Sequence, residues 1–321
     1  MLARSGNEST IIGVDVGGTK TTVVEGTFDA RILAREELPT NAAAPFTQSW
    51  APIAQSISDA IARSRQAGRA PGGVSVAVGG PLLAAAGRLL DPPNLPGWHG
   101  VLLGAEIERV APGLDVRIEH DAKAGALAEY RFGVGAARPE LREMIFLTFG
   151  TGLGAGIIAN GSLVRGASEM AGEIWNMAVP TPAGEEAAAR SRRWEDRASG
   201  RGIAAIAGER FPGRWVGTNV THQVVAAAVA GDADARQVIT SCGRWLGAGL
   251  APMVAVLNPR VVVLGSLAAV LGDMVLDSAR EELARLCERR AAVECEILPS
   301  ALGARLGDVQ SLMAVLESRR K

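Results

Sequence analysis

The sequence predicts an α/β protein of two domains, and three observations support this fold class. Short apolar runs with the character of β-strands alternate with amphipathic helical segments along the chain. The chain has 321 residues, which is enough for two domains with sizeable hydrophobic cores. Two units of strand, glycine turn and strand recur about 135 residues apart, as two similar halves would give.

The first glycine turn lies in residues 11–20, IIGVDVGGTK, where an apolar strand ends in Asp15 and two glycines. Because β-type sequence restarts at Thr21, the pattern predicts a hairpin and not the strand-to-helix turn of a P-loop or dinucleotide fold. Backbone N–H groups of such a turn suit a phosphate, with Asp15 near its metal ion. The residues equally allow an ordinary hairpin whose glycines serve turn geometry.

The second glycine turn lies in residues 147–158, LTFGTGLGAGII, between two apolar strands. Its four glycines are costly in backbone entropy, which a purely structural hairpin rarely accepts. A phosphate loop requires them, because its N–H groups must converge on oxygens without steric interference. The sequence therefore favours a phosphate site here over a bulged, twisted hairpin.

The other segments predict the remaining elements. Residues 180–200 are polar and rich in arginine, and they predict a long loop. The predicted elements are a strand at 32–36, a helix from Trp50 to near Gly68, a strand at 74–78, a proline-rich loop at 91–98, a helix at 103–110, a strand at 116–119, a helix from Asp121, one or two helices within 224–257, a strand at 261–265, a helix at 268–289, a strand at 293–298 and a helix at 306–319.

Composition restricts the class of protein. The formal net charge is -1, so no basic field indicates binding to nucleic acid or to an anionic membrane. No apolar stretch approaches the ~20 residues that cross a bilayer, and the N-terminus lacks an apolar signal core, so we expect a cytoplasmic protein. Cys242, Cys287 and Cys295 are too few and too scattered for a disulfide framework or a zinc cluster, and we expect buried thiols.

Several polar residues are candidates for chemistry. Asp121 follows an apolar strand at the start of a helix, where it could be a catalytic base or an ordinary N-cap. Asn94 could be a turn residue or could bind a hydroxyl group. Glu173 and Glu195 could be solvated surface acids, but each lies near a tryptophan, and an apolar ring beside a carboxylate is typical of sugar sites.

Taken together, these stretches resemble the ROK sugar kinases of the actin/hexokinase-like ATPase superfamily over nearly the whole chain. The matching segments are DVGGTK at 15–20, PPNLPGW at 92–98, EHDAKAGALAE at 119–129 against the family's NDANAAALGE type, LTFGTGLGAGI at 147–157, AGEI at 171–174, ASG at 198–200 and NPRVVVLGS at 258–266 against NPxxVVLGG. The resemblance implies a two-domain actin-like (RNase H-like) ATPase fold with a ligand cleft between the domains. It places 1–120 with the C-terminal helix at about 303–321 in a smaller domain, and 121–302 in a larger nucleotide-binding domain.

The resemblance also implies the roles of individual residues. Asp121 is the general base for phosphoryl transfer from Mg-ATP to a sugar, and Asp15 lies near the Mg²⁺ ion. The residues implied for ATP and its phosphates are Asp15, Gly17, Gly18, Thr19, Lys20, Gly150, Thr151, Gly152 and Gly265. Those implied for the sugar are Gly80, Asn94, Asp121, Glu173, Asn176 and Glu195. The family further implies a homodimer whose other partners are small molecules.

The chain departs from the family pattern where that pattern has a zinc site. The family reads GEIGH followed by CxCGxxGC, whereas this chain has Trp175 and Asn176 in place of glycine and histidine and no cysteine within 180–198. We therefore predict no structural zinc. Only about ten residues precede the first strand, so we expect no DNA-binding domain of the kind found in the family's repressors.

The function implied is ATP-dependent phosphorylation of a hexose, with glucose at its 6-hydroxyl as the first choice. Asn176 and Trp175 leave open a kinase for another sugar, such as fructose, mannose or N-acetylmannosamine. A non-catalytic sugar-binding homologue is the third hypothesis. The phosphoryl donor, ATP or polyphosphate, stays open at this point.

Overall fold

The structure is a computed structural model that describes residues 8–185 and 193–319. The chain forms two compact units. Unit 1 comprises Met1–Ala128, Arg165–Ala171 and Ala304–Lys321, and unit 2 comprises Glu129–Val164 and Gly172–Gly303. The sequence analysis places the domain boundaries between residues 120 and 121 and between residues 302 and 303, and these boundaries stay a prediction.

Both units are built on β-sheets flanked by helices. The strands are β1 Ser9–Val16, β2 Lys20–Thr27, β3 Ile32–Pro39, β4 Ala70–Val78, β5 Leu82–Leu83, β6 Arg88–Leu89, β7 Asp115–His120, β8 Met144–Phe149, β9 Leu153–Ala159, β10 Ser162–Leu163, β11 Val261–Leu264 and β12 Glu296–Pro299. The helices are α1 Phe46–Gln66, α2 Leu103–Val110, α3 Asp121–Phe132, α4 Gly200–Arg210, α5 Val220–Val229, α6 Ala233–Leu257, α7 Leu267–Leu271, α8 Asp273–Leu286, α9 Arg289–Glu294, α10 Leu306–Ser311 and α11 Met313–Ser318.

The sheet of unit 1 has the strand order β3-β2-β1-β4-β7. Strand β1 pairs antiparallel with β2 and parallel with β4, and β4 pairs parallel with β7. The carboxyl ends of β1, β4 and β7 therefore lie at one edge, where ligands of α/β sheets bind. Apolar residues of α1 recur at helical spacing, and Ile53 and Ile57 are completely buried in the core of this unit.

The sheet of unit 2 repeats that arrangement, with the order β10-β9-β8-β11-β12. Strands β8 and β9 form an antiparallel hairpin, and β11 pairs parallel with both β8 and β12. Both predicted glycine hairpins are thus confirmed, as is the repetition of a strand–turn–strand unit. Each unit extends an antiparallel hairpin with parallel strands.

Three predicted elements near the C-terminus differ in the structure. The single helix predicted for 268–289 is wrong, because Gly272 adopts φ +53° and separates α7 from α8. The strand predicted for 293–298 begins only at Glu296, and Val293 is helical and 77% exposed in α9. The helix predicted for 306–319 is divided at Leu312 into α10 and α11. The loop predicted for 180–200 lies partly outside the described residues.

The three cysteines differ in their burial. Cys242 and Cys295 are buried as expected, and burial raises the pKa of both thiols to about 12, whereas Cys287 is half-buried. Within 8–185 and 193–319, no helix combines the length and the apolar character needed to span a membrane.

Candidate functional site

Asp121 lies at the carboxyl end of β7 and is the first residue of α3. Its Oδ1 accepts a hydrogen bond from the N–H of Ala122 at 2.6 Å, whereas an N-cap side chain usually accepts from the second or third residue of the helix. A Cβ atom on Gly79 would lie 3.0 Å from Asp121 Oδ2. Glycine at position 79 therefore leaves space beside this oxygen, and the side chain of Asp121 is 33% exposed.

His120 touches this carboxylate, and the sequence analysis missed it. Its Nδ1 lies 3.2 Å from Asp121 Oδ1 and accepts the N–H of Ala122 at 3.1 Å. In the neutral ring the proton is then on Nε2. The signal was available, because EHDAKAG has histidine where the family segment NDANAAALGE has its first asparagine.

Asp15 is the last residue but one of β1, at the same edge of the sheet and beside α10. Its Oδ1 accepts a hydrogen bond from Gln310 Nε2 at 3.0 Å. The pKa of Asp15 is raised to about 7, chiefly by burial and also by the nearby carboxyl groups of Asp121 and Asp308, while the hydrogen bond from Gln310 opposes the rise. The carboxyl groups of Asp121 and Asp308 therefore both disfavour a negative charge on Asp15.

The first glycine turn meets the proline-rich loop within unit 1. The N–H of Gly17 donates to the carbonyl of Lys20 at 3.0 Å, which closes the hairpin. A Cβ atom on Gly18 would lie only 2.8 Å from the carbonyl oxygen of Asn94, so the turn and the loop are in direct contact there. Thr19 is exposed, and the ammonium group of Lys20 binds Glu37 at 2.9 Å.

The proline-rich loop is fixed from below by Trp98. The indole is completely buried, and its Nε1 donates to Ser49 Oγ at 2.9 Å. Gly80, with φ +106°, follows β4 and packs against Pro92, where a Cβ atom would lie 2.7 Å from the proline Cα. These contacts hold Asn94 on the exposed face of the loop, above the carboxyl edge of the sheet.

The segment 165–171 belongs to unit 1 and attaches beside α3. Arg165 Nη1 lies 2.5 Å from Oε2 of the buried Glu119. The carboxylate of Glu169 accepts the N–H of Ala84, and the buried Lys123 donates to the carbonyl of Glu169. Lys123 is a second residue that sequence analysis missed, and it too departs from the asparagine of the family segment.

The second glycine turn, in unit 2, is held by the start of α4. The N–H of Gly200 donates to the carbonyl of Gly150 at 2.7 Å, and that of Arg201 donates to Thr151 at 3.3 Å. Within the turn, the N–H of Gly150 donates to Gly152 at 3.3 Å. These bonds engage the carbonyl groups of Gly150, Thr151 and Gly152 and help to define the shape of the turn.

Glu195, a residue implied for the sugar, contacts this same turn. Its Oε2 accepts the N–H of Leu153 at 2.9 Å, and its Oε1 lies 3.3 Å from Arg201 Nη1. A Cβ atom on Gly152 would lie 2.6 Å from Glu195 Oε2. The structure therefore brings Glu195 together with the glycine turn, a contact that the sequence did not indicate.

Glu173 follows a tight attachment to β9. Gly172 has φ +94°, a Cβ atom there would lie 2.0 Å from the carbonyl of Ala155, and the N–H of Ala155 donates to Gly172 at 3.0 Å. Glu173 is half-buried, whereas Asn176 is exposed and Trp175 is 37% exposed. Gly265 follows β11 and donates its N–H to the carbonyl of Leu147 in β8 at 2.9 Å, which places it at the carboxyl edge of this sheet.

The residues present do not fit a zinc ion of the family type. In the described parts of the chain, no three histidine, cysteine, aspartate or glutamate residues form a group that could hold a metal ion. The corresponding segments are joined by protein contacts instead: the N–H of Trp194 donates to Met177 at 2.9 Å, and that of Glu195 donates to Trp175 at 3.2 Å. The absence of zinc stays a prediction.

A buried tryptophan fixes this segment to the core of unit 2. Trp194 is completely buried, and its Nε1 donates to the carbonyl of Trp245 at 3.0 Å. A Cβ atom on Gly249 would lie 2.0 Å from the ring of Trp194, so any larger residue at this position of α6 would force the helix or the indole to shift. The guanidinium of Arg193 lies 5.9 Å from the ring centroid of Trp175.

The structure thus groups the predicted residues by unit. In unit 1, Asp15, Asp121, the first glycine turn and the loop of Asn94 share the carboxyl edge of one sheet. In unit 2, the second glycine turn, Glu195, Gly265 and the segment of Glu173 share the corresponding edge of the other sheet.

Comparison with known proteins identifies relatives that are 31–33% identical to this chain over the aligned residues. The bifunctional enzyme NanE/NanK of Brucella melitensis biotype 1 is 32% identical over 302 residues, which cover 93% of this chain and 52% of that enzyme. The chain therefore spans about half the length of that relative. The glucokinase of Streptomyces coelicolor is 33% identical over 298 residues, with 85% of this chain and 87% of the relative covered. The N-acetylmannosamine kinase of Escherichia coli is 31% identical over 256 residues, with 80% and 82% covered.

A solved structure and the family pattern agree with these relatives. The ROK family glucokinase of Streptomyces griseus, crystallised with glucose and AMPPNP, superposes with a TM-score of 0.75 at 29% identity, covering 94% of this chain and 98% of the glucokinase. The fold is the actin-like ATPase fold of the ROK hexokinases. The sequence pattern of the ROK family matches residues 11–314, and this chain belongs to the ROK family.

Proposed function

We propose that this protein is an ATP-dependent hexose kinase that converts glucose to glucose 6-phosphate, with Asp121 as the general base. One observation carries the proposal: the carboxylate of Asp121 is fixed through Oδ1 and has glycine, not a side chain, beside Oδ2. A base must accept a hydroxyl proton at hydrogen-bond distance from a defined position. Family membership and the glucokinase relatives support the same reaction.

The proton transfer needs little from the base beyond its position. As the sugar oxygen attacks the γ-phosphorus of ATP, the bond from that phosphorus to the β–γ bridging oxygen breaks and ADP leaves, while the sugar O–H bond breaks and Asp121 Oδ2 takes the proton. Phosphoryl transfer depends mainly on alignment and on stabilisation of charge. The hydrogen bond from Ala122 to Oδ1 leaves Oδ2 as the oxygen proposed to take the proton.

Amide groups of the glycine turns are the proposed donors to phosphate oxygens. Gly17 and Gly150 already donate inside their own turns, so we assign phosphate binding to the amides of Gly18, Thr151 and Gly152. The carboxyl group of Asp15 fits Mg²⁺, because hard cations prefer oxygen ligands and its Oδ2 faces Gly307 without a side chain between. When bound, Mg²⁺ neutralises charge on the phosphate oxygens.

The sugar would be recognised by hydroxyl contacts from Asn94, Glu173 and Glu195. Glu195 also accepts from Leu153, so we propose that it links sugar contact to the shape of the glycine turn. A sugar lacking one of these hydroxyl groups would lose the corresponding hydrogen bond, and we expect a lower kcat/KM for it.

A kinase for another hexose is the second candidate, favoured by the segment of Trp175 and Asn176. These exposed residues replace the glycine and histidine of the family pattern, and one relative is an N-acetylmannosamine kinase. The proposed homodimer and the use of ATP rather than polyphosphate also stay predictions.

The test is release of ADP from Mg-ATP with a panel of glucose, fructose, mannose, glucosamine and N-acylated hexosamines. The proposal expects turnover with glucose at the highest kcat/KM. Turnover with a different hexose would select the second candidate. Silence with every sugar, in protein shown by circular dichroism to be folded, would contradict a kinase and favour a non-catalytic sugar-binding protein.

A further inference from the structure

Ser266 has a backbone conformation that serine rarely adopts. It follows Gly265 at the carboxyl end of β11, with φ +28° and ψ -85°. A positive φ strains the backbone of a residue that has a Cβ atom, and such strain clusters at functional sites. The family pattern NPxxVVLGG has glycine at this position, whereas this chain has serine.

The hydroxyl group of Ser266 does not cap a helix, so capping does not explain why serine occupies this position. Ser266 is the residue before α7, where a serine side chain ordinarily accepts a backbone N–H of the first turn. Its side chain makes no such cap bond to α7. Ser266 is also exposed, so packing in the core does not account for the serine either.

The hydroxyl oxygen of Ser266 lies beside the second glycine turn. Strands β8 and β11 are parallel neighbours, which brings Gly150 and Ser266 to the same edge of the sheet. Apart from its two neighbours in the chain, a Cβ atom built on Gly150 would have one neighbour within 4 Å among the described residues, Ser266 Oγ at 3.9 Å. A space bounded by a glycine Cα and a hydroxyl group can hold a phosphate oxygen.

We infer that Ser266 donates its hydroxyl hydrogen to a phosphate oxygen of the nucleotide bound at the second glycine turn. This inference rests on the proposed function and adds a side-chain donor to a site otherwise built from backbone amides. A hydrogen bond to a charged phosphate is stronger than one between neutral groups, so it can offset the backbone strain when the nucleotide is bound. Glycine at this position would remove both the strain and the donor.

The test compares Ser266→Ala, which removes the hydroxyl and keeps the strained Cβ, with Ser266→Gly, which removes both. Titration calorimetry with Mg-AMPPNP is expected to show about 10- to 100-fold weaker binding for each variant. The KM for ATP should rise by a similar factor while the KM for the sugar stays the same. Ser162→Ala, in the exposed edge strand β10 of the same sheet, is the control and should bind like the wild type.

Titrations with adenosine, AMP, ADP and ATP identify which group of the nucleotide binds the hydroxyl of Ser266. The inference expects both variants to bind adenosine as the wild type does, with the loss appearing when the bonded phosphate is added. Equal loss for adenosine would place the hydroxyl on the ribose or base and overturn the inference. Unchanged binding of every nucleotide by Ser266→Ala would also overturn it, leaving Ser266 as a structural residue only.

The unfolding measurement separates strain from binding. Without nucleotide, Ser266→Gly should have a higher urea midpoint than wild type, whereas Ser266→Ala should not. Equal midpoints for all three proteins would contradict the strain argument. If the wild-type protein itself bound no nucleotide, the proposed kinase function would fail, which is distinct from equal binding by wild type and variants.

Discussion

The exchange Asp15→Asn should stabilise the protein at neutral and alkaline pH. Asp15 is held among the carboxyl groups of Asp121 and Asp308, and burial raises its pKa from 3.8 to about 7. Asparagine has nearly the same shape, cannot ionise, and keeps an oxygen that can accept the hydrogen bond from Gln310. The stabilisation by asparagine should increase as pH rises, because the pKa of Asp15 is higher in the folded chain than in the unfolded chain.

The magnitude follows from the pKa values of the folded and unfolded chains. Below pH 3.8 the carboxyl group is protonated in both states, and between 3.8 and about 7 only the unfolded chain ionises, so stability falls as pH rises. Each pKa unit corresponds to about 1.4 kcal/mol. Ionisation therefore lowers the free energy of unfolding by about 1.6 kcal/mol at pH 5 and about 4 kcal/mol at pH 8.

Urea denaturation of wild type and Asp15→Asn at pH 5 and pH 8, without Mg²⁺ or nucleotide, measures this difference. The advantage of Asp15→Asn should grow by about 3 kcal/mol between the two pH values. Asp59→Asn is the matched control for loss of a charge, because Asp59 is exposed and also accepts from a glutamine side chain, at 2.9 Å. An advantage of Asp15→Asn that is constant with pH, or that shrinks as pH rises, would refute the reasoning.

Three further predictions concern the supporting structure. Gly249→Ala should lower the free energy of unfolding by about 3 kcal/mol through overpacking against Trp194, whereas Gly208→Ala, which meets nothing within 4 Å in α4, should be neutral or stabilising in the same urea assay. Glu129→Gln should cost about 2–3 kcal/mol in thermal or urea unfolding, because the buried carboxylate accepts hydrogen bonds from Val134, Ser300, Ala301 and Leu302 that an amide cannot all accept; unchanged stability would contradict that count. Mass spectrometry of metals in purified protein should find no stoichiometric zinc, and activity should survive a zinc-selective chelator; one bound zinc per chain would show that the prediction is wrong.

The sequence was sufficient for elements whose pattern is local. The hairpin at Gly17 and Gly18 was predictable because β-type sequence restarts directly after the glycines. The sequence was not sufficient where a single residue interrupts a helical pattern. Gly272, at φ +53°, separates α7 from α8 although the apolar spacing continues through this position. Val293 is β-branched, yet it is helical and exposed in α9, because tertiary context decides short segments.

The candidate site was predictable in its motifs and less so in its contacts. Asp121 and Asp15 could be identified because each lies near the carboxyl end of a strand, at the start of a recognisable motif. The contact of Glu195 with the N–H of Leu153 joins residues 42 positions apart, and no local pattern reports such a pairing. His120 could have been found from its departure from the family segment, whereas the positive φ of Ser266 required coordinates.

The role of Asp121 as general base is the central claim, and Asp121→Asn tests it most directly. The measurement is kcat for ADP release from Mg-ATP with the best hexose, alongside calorimetric titration of that hexose. Asparagine preserves the shape and the bond from Ala122 but cannot take the proton, so kcat should fall by at least about 100-fold while sugar binding stays within a few-fold. Full activity in Asp121→Asn, with the sugar still bound, would contradict the assignment.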